Sequence, residues 1–282
     1  MTKDLFSHSY QEDNTHAARR EAAEQLDALF RRAFDLSNAN HICQFFDWMA
    51  KLRHYSLFNL WLARLQRPGC GLIATEKRWR ELQRNIKSSA IPIVILRPMG
   101  PVMLVYEVGD TTGPPLPNAY FNVQGTVTDR DLERLVRNSS KDSIRTETSK
   151  LGANLGGDVR NTVTEQIEET FLIRLNKDRK VEERFRTMCH ELAHIYCGHL
   201  GRPSPQDWWL NRADLGTSEK EFEAEGAAFL VLSRAGLLTG SDKYLSYHAK
   251  NCDLTKVSMD TIIRAAARIE THWQPGSRHD AI

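Results

Sequence analysis

FRTMCHELAHIYCGH, residues 185–199, is the stretch on which the rest of this chain turns. Inside it stands His190-Glu191-Leu192-Ala193-His194. On a helix, side chains four residues apart share a face, with Cβ atoms about 5–6 Å apart. Two imidazoles so placed take two corners of a tetrahedral zinc site. Glu191, one position along from the first histidine, is offset from that corner and can face a water at the metal without ligating it. Zinc brings the pKa of such a water to about 7, and a neighbouring carboxylate can take its proton during attack on a peptide carbonyl. Met188, Cys189, Leu192, Ala193, Ile195 and Tyr196 are all uncharged, as a buried helix requires.

Two histidines need a third ligand. The extended pattern HExxHxxGxxH asks for glycine at 197 and histidine at 200. The chain has Cys197, Gly198, His199 and Leu200, so both are off by one. Cys197 as a thiolate is one candidate, although a small buried residue is its commoner use. The other source is EKEFEAEGAAF (219–229), where Glu219, Glu221, Glu223 and Glu225 are all available. A run of glutamates usually marks a solvated helix face. This one merges into an apolar stretch about 30 residues after the paired histidines, and Gly226, Ala227 and Ala228 would let its helix approach the first closely. Tyr196, Tyr244, Tyr247 and His248 are candidates for steadying the oxyanion of peptide hydrolysis. No GxSxG occurs, and nothing supports a serine or cysteine nucleophile.

Working outward, residues 17–37 carry Leu26, Leu29, Phe30, Ala33 and Phe34 at helical spacing. Ile42, Phe45, Phe46, Met49 and Leu52 continue as a second helix, and Ser56 to Gln66 as a third. Thr75–Asn85 predicts a short basic helix around Trp79. Ile91–Leu96 and Val102–Val108 predict a β-hairpin, and GDTTGPPLPN (109–118) a linker. Beyond it come an expected strand at Tyr120–Val127, a helix at Arg130–Val136, and a polar surface excursion over 138–166. A strand at Phe171–Leu175 and helices at Val181–Leu200, Glu219–Arg234, Tyr244–Lys250 and Met259–His272 follow.

The composition, 41% hydrophobic and 26% charged, is that of a globular protein and excludes collagen-like or low-complexity chains. No apolar run approaches the 18–20 residues of a membrane span, and MTKDLFSHSYQEDNTHAARR at the start has no apolar secretory core. Five scattered cysteines without a CxxC fit a reducing cytoplasm. Charge is uneven. Lys51 to Arg97 contains ten basic residues against Glu76 and Glu81, although the whole chain is only +2. Such a stretch attracts phosphates whatever the base sequence. Tyr55, Trp61 and Trp79 among the cations can stack on unpaired bases. The competing view takes Phe58 and Trp61 as core and the cations as solvated helix faces. No zinc finger or helix-turn-helix points to duplex reading.

FRTMCHELAHIYCGH followed by EFEAEGAAFLVLSRAG resembles the ImmA/IrrE metallopeptidase group and the related C-terminal domain of ArdC-type antirestriction proteins. LRHYSLFNLWLARLQRPGCGLIATEKRWRELQRNIK resembles the ArdC N-terminal single-stranded-DNA-binding domain, through Tyr55-Ser56, Asn59, Gln66-Arg67-Pro68 and Trp79. The resemblance implies Glu223 as third ligand, with Glu221 and Glu225 as alternatives. It also aligns Ala227 with a family asparagine, so any hydrogen bond that residue supplied must come from elsewhere. The expectation is then an α+β protein in two parts. Residues 15–115 form a helical and β-hairpin domain that binds single-stranded DNA through Tyr55, Asn59, Arg67, Trp79, Arg80, Arg84 and Lys87. Residues 118–275 form a zincin-like domain that hydrolyses protein or peptide substrates, with Zn2+ on His190, His194 and Glu223 and with Glu191 as general base. The rival is a non-proteolytic single-stranded-DNA-binding antirestriction protein whose metal domain is structural or vestigial.

Overall fold

The apolar stripe Ile42, Phe45, Phe46, Met49 and Leu52 does what helical spacing demands: all five side chains are buried, four on helix α1 (Ala39–Lys51) and Leu52 at its C-cap. The computed structural model describes residues 21–274 other than 23, 30, 32–37, 98–99, 117–124, 153–154, 163–170, 202–210, 238–241 and 251. Most of the strand expected at Tyr120–Val127, and much of the helix expected at 17–37, lie outside these residues. Residues 24–29 are helical.

The architecture is α+β. After α1 come α2 (Leu57–Gln66), capped by the Ser56 hydroxyl, then β1 (Ile73–Ala74), α3 (Glu76–Glu81), β2 (Asn85–Ile86), β3 (Ile93–Ile95), β4 (Met103–Glu107) and β5 (Thr111–Thr112). β4 pairs antiparallel with both β1 and β3, giving the order β1-β4-β3, and β2 pairs with β5. The free edge of β3 is closed by α2 side chains. Asn59 Nδ2 donates to Leu96 O and its Oδ1 accepts from Leu96 N, both at 2.9 Å. Gln66 does the same for Val94, at 2.6 and 2.9 Å.

The second half contains α4 (Asp129–Ser139), β6 (Ile144–Ser149), β7 (Gly157–Asn161), β8 (Phe171–Asn176), α5 (Val181–Tyr196), α6 (Thr217–Arg234), α7 (Asp242–Ala249) and α8 (Met259–Trp273). Its sheet runs β6-β8-β7, with β6 parallel and β7 antiparallel to the central strand. Two of its strands lie in 138–166, where a surface excursion was expected. β6 (IRTETS) and β7 (GDVRN) are flanking strands with few apolar residues, so alternation does not betray them. β8 is central and nearly all buried, and it reads as the continuous apolar run such strands carry. The sheet supports α5 closely. A Cβ on Gly157 would stand 2.5 Å from Arg174 O and 2.6 Å from the Thr187 methyl, so glycine is what lets β7 lie against the helix.

One continuous buried cluster runs from Ile42 on α1 to Ile269 on α8. α6 lies in the middle of it. Phe46 stacks on Phe229 with ring centroids 6.3 Å apart, and a Cβ on Gly226 would meet Phe46 at 3.0 Å and Ile262 at 3.5 Å. Gly226 therefore admits α1 and α8, not α5 as the sequence suggested. Arg234, 2% exposed, ties the two halves. It donates to Glu270 on α8 and to the carbonyls of Met49, Leu52, Arg53 and Tyr55 at the end of α1.

Candidate metal centre

Helix α5 sets His190 and His194 on one face, with their Nε2 atoms 3.1 Å apart. Across from them α6 presents Glu221. Its Oε2 lies 3.6 Å from His190 Nε2 and its Oε1 3.5 Å from His194 Nε2. Ligands about 2.0–2.1 Å from a tetrahedral zinc stand roughly 3.3 Å from one another, which is close to this spacing. Two imidazole nitrogens and a carboxylate are also the donor types zinc accepts. The group is half-open, with Glu221 on the exposed side.

Glu223, the residue expected as third ligand, points elsewhere. Residues two apart on a helix do not share a face. Its wholly buried carboxylate accepts from Arg212 and from Ser258 N (2.7 Å) on Oε1, while Oε2 faces His199 Nε2 at 3.0 Å. Burial outweighs Arg212 and the Ser258 N–H, and the Glu223 pKa is pushed up to about 7. Glu225 approaches His190 from behind, with Oε1 3.0 Å from Nδ1. The three glutamates thus divide: Glu221 faces the paired Nε2 atoms, Glu225 backs His190, and Glu223 reaches His194 through His199.

His199 owes its position to the helix end. Gly198 takes φ 78°, a left-handed conformation open to glycine, and the chain reverses so that His199 N bonds His194 O at 3.0 Å. The turn brings His199 Nδ1 to 2.9 Å from His194 Nδ1. Gly198 O also accepts from Arg212 N at 2.9 Å, which anchors the segment bearing that arginine. The sequence flagged His199 only as a failed match to a longer motif, and nothing in it singled out Arg212 or Ser258. Cys197, His199 and Glu223 form a second cluster with metal-ligating atoms, fully buried. Its carboxylate is already occupied by the Arg212 cation and its imidazole by His194.

Electrostatics separate the site histidines. Burial lowers the His190 pKa, but Glu225, Glu191 and Glu221 outweigh it and the net shift is upward. His194 is pushed down to about 2 by burial and by His190 and His199. His199 is pushed down to about 3 by burial, Arg212 and Lys220. Glu191 is pushed up to about 7, chiefly by burial, with Asp158, Glu221 and Glu225 adding to it against His190. Unlike the glutamates of α6 just described, it forms no hydrogen bond or ion pair that commits its carboxylate among the described residues. Tyr196 is not at the site: its hydroxyl donates to Asp142 at 2.8 Å and lies 3.0 Å from His272. Tyr247 is 70% exposed.

The residues expected to bind DNA are mostly spent on the fold. Tyr55 and Trp79 are buried and cannot serve as stacking platforms; Trp79 Nε1 donates to Tyr106 O at 2.9 Å. Trp61 is buried as well, as the core alternative had it. Asn59 closes the edge of β3. Arg67 forks onto Asp110, Arg84 donates to Thr111, Gly113 and Pro114, and Lys87 donates to Gly109 O at 2.6 Å. Arg80 is exposed and pairs with Glu76 at 3.1 Å. The charge count saw ten cations; turns rich in carbonyl groups consume several of them.

No family model matches the chain, and no curated protein does. Two solved structures similar to it are crystal structures of the antirestriction protein ArdC from plasmid R388. The metal-free one is 16% identical, with 76% of this chain and 80% of that chain covered and a TM-score of 0.36. The Mn(II)-bound one is 15% identical, with 77% and 83% covered and a TM-score of 0.38. No helix among the described residues is long and apolar enough to cross a membrane.

Proposed function

We propose that this chain is a zinc-dependent peptide hydrolase whose metal is held by His190, His194 and Glu221. The observation that carries it is the convergence of two imidazole Nε2 atoms and both oxygens of one carboxylate within 3.6 Å, beside the uncommitted carboxylate of Glu191. Zinc bound there would supply Lewis acidity, which acidifies water and polarises a carbonyl. Glu191 takes a proton from the water that attacks the peptide carbon. The new C–O bond forms as that proton leaves, and Glu191 returns it to the amine when the C–N bond breaks. His194 is held by its outer nitrogen on His199, and Glu225 Oε1 stands 3.0 Å behind His190 Nδ1, so both Nε2 atoms face inward.

The test is elemental analysis and peptide cleavage on wild type, Glu221→Ala and Glu191→Gln. The expected result is one zinc per chain in wild type and Glu191→Gln, loss of metal in Glu221→Ala, and cleavage by wild type alone. A folded wild type that takes up no zinc when supplied with it sinks this function.

The non-proteolytic single-stranded-DNA reading keeps one supporting observation: Lys51, Lys77 and Arg97 are exposed. With the nearby aromatics buried, such binding would rest on phosphate contacts and fall steeply with salt.

A further inference from the structure

We propose that the N-terminal helix over residues 24–29, together with Arg31, is a detachable strap that steadies the metal centre, so that freeing it weakens metal binding; this rests on the metal site proposed above. The strap grips one stretch of backbone, residues 256–260, which leads into α8. Asp27 and Arg31 are four residues apart and share a helix face. Asp27 Oδ1 accepts from Asp260 N at 3.0 Å, and Arg31 Nη2 donates to Val257 O at 3.1 Å. Asp260 N is one of the first-turn amides for which a helix has no partner of its own. Ser258, the N-cap of α8, gives its hydroxyl oxygen to Thr261 N at 3.1 Å. Asp27 completes that cap from the other end of the chain, and a carboxylate is the group a helix N-terminus favours.

The same stretch of backbone supports the buried side of the metal centre. Ser258 N donates to Glu223 Oε1 at 2.7 Å, and Arg212 donates both to Glu223 and to Lys256 O, the latter at 3.3 Å. Glu223 Oε2 lies 3.0 Å from His199 Nε2, and His199 Nδ1 lies 2.9 Å from His194 Nδ1. Contact therefore runs from Asp27 through residues 258–260, Glu223 and His199 to His194. It steadies the His194 ring whichever nitrogen of each pair carries the hydrogen. The strap itself is held lightly. Among its described residues Leu26 is the apolar side chain packed against the core, while Leu29 is 47% exposed. An element with so little buried apolar surface opens at low cost, and here the polar grips on 256–260 decide whether it stays docked. Whatever captures this helix thereby loosens the hold on the metal.

The test uses the full chain, as wild type and as the double variant Asp27→Ala/Arg31→Ala, which removes both grips and touches no residue of the metal centre. In zinc titrations against a chromophoric chelator the double variant should bind about 3–30-fold more weakly, the range that coupling through such contacts reaches. Linkage requires zinc to return the effect. In wild type, saturating zinc should slow backbone hydrogen exchange over residues 24–29 by up to the same factor, a response that a helix merely packed on the surface does not give. In metal-free protein the double variant should exchange faster than wild type over 256–260 and 198–200. Equal zinc affinity in a folded double variant overturns the proposal. So does exchange over 24–29 that ignores zinc, a result that needs no variant. Wild type that takes up no zinc overturns the metal site itself. Exchange of the metal-free proteins over 198–200 then decides the strap separately: faster in the double variant, its reach to the His199 turn stands; equal, it falls.

Discussion

Replacing Arg234 by alanine should cost more stability than any other single charge removal among the described residues. The guanidinium is 1% exposed and its partner Glu270 2%. Removing it leaves a buried carboxylate without its cation, which typically costs about 3–5 kcal/mol. The carbonyls of Met49, Leu52, Arg53 and Tyr55 also lose a donor. Two of these bonds are long, at 3.4 and 3.3 Å, and water entering the space left by the side chain can replace some of them. A net loss of about 4 kcal/mol is then the reasonable figure. For a chain of 282 residues this lowers the thermal midpoint by roughly 7 °C. Circular dichroism melts of wild type, Arg234→Ala and Arg80→Ala make the comparison. Arg80 and Glu76 are 67% and 59% exposed, and an open pair of this kind contributes about 0.5 kcal/mol or less, a shift within about 2 °C. A midpoint for Arg234→Ala within 3 °C of wild type would refute the view that one buried fork holds α1 to α6 and α8.

Two further outcomes follow from burial and charge. Trp79→Ala should destabilise the fold by about 3–5 kcal/mol, because the indole is fully packed and bonded to Tyr106. A stably folded Trp79→Ala protein with weakened oligonucleotide binding would instead restore the stacking role. Asp142 should govern acid sensitivity. Burial raises its pKa, but bonds from His272, Arg268 and Tyr196 hold it well below the ordinary value near 3.8. A depressed carboxylate contributes stability that is fully present above its unfolded pKa of about 3.9 and is lost as the pH falls below it. Wild type should therefore begin to lose its advantage over Asp142→Asn as the pH falls below about 4 and go on losing it to the acid limit of denaturant titrations, and an unchanging gap would count against this.

The α5 site helix was legible because its signal is local: four-residue spacing settles which histidines meet. The strand Phe171–Leu175 and the apolar face of α1 were legible for the same reason. The third acidic partner was not. Glu221, Glu223 and Glu225 are equivalent on paper, and which one faces His190 is decided by the rotation of α6, which Phe46, Phe229 and Ile262 fix from the far side. β6 and β7 were hidden because flanking strands need few apolar residues. The surroundings of the basic residues were hidden for a different reason: a cation's partners are carbonyls and carboxylates brought to it by turns far along the chain, such as Asp110 for Arg67 and Pro114 for Arg84.

Asn59 and Gln66 show how a helix can impersonate a strand. Two primary amides, each giving one donor and one acceptor, meet alternate residues of β3 as a neighbouring backbone would. They stand about 10.5 Å apart along α2, whereas Val94 and Leu96 are about 6.7 Å apart along β3, and side-chain reach absorbs the difference. The consequence lies in assembly, not in chemistry. A sheet edge with Val94 and Leu96 exposed beside Leu104 and Val102 invites another chain to add to it. Here that invitation is already answered within the chain, so the pair guards this edge against the addition of another strand.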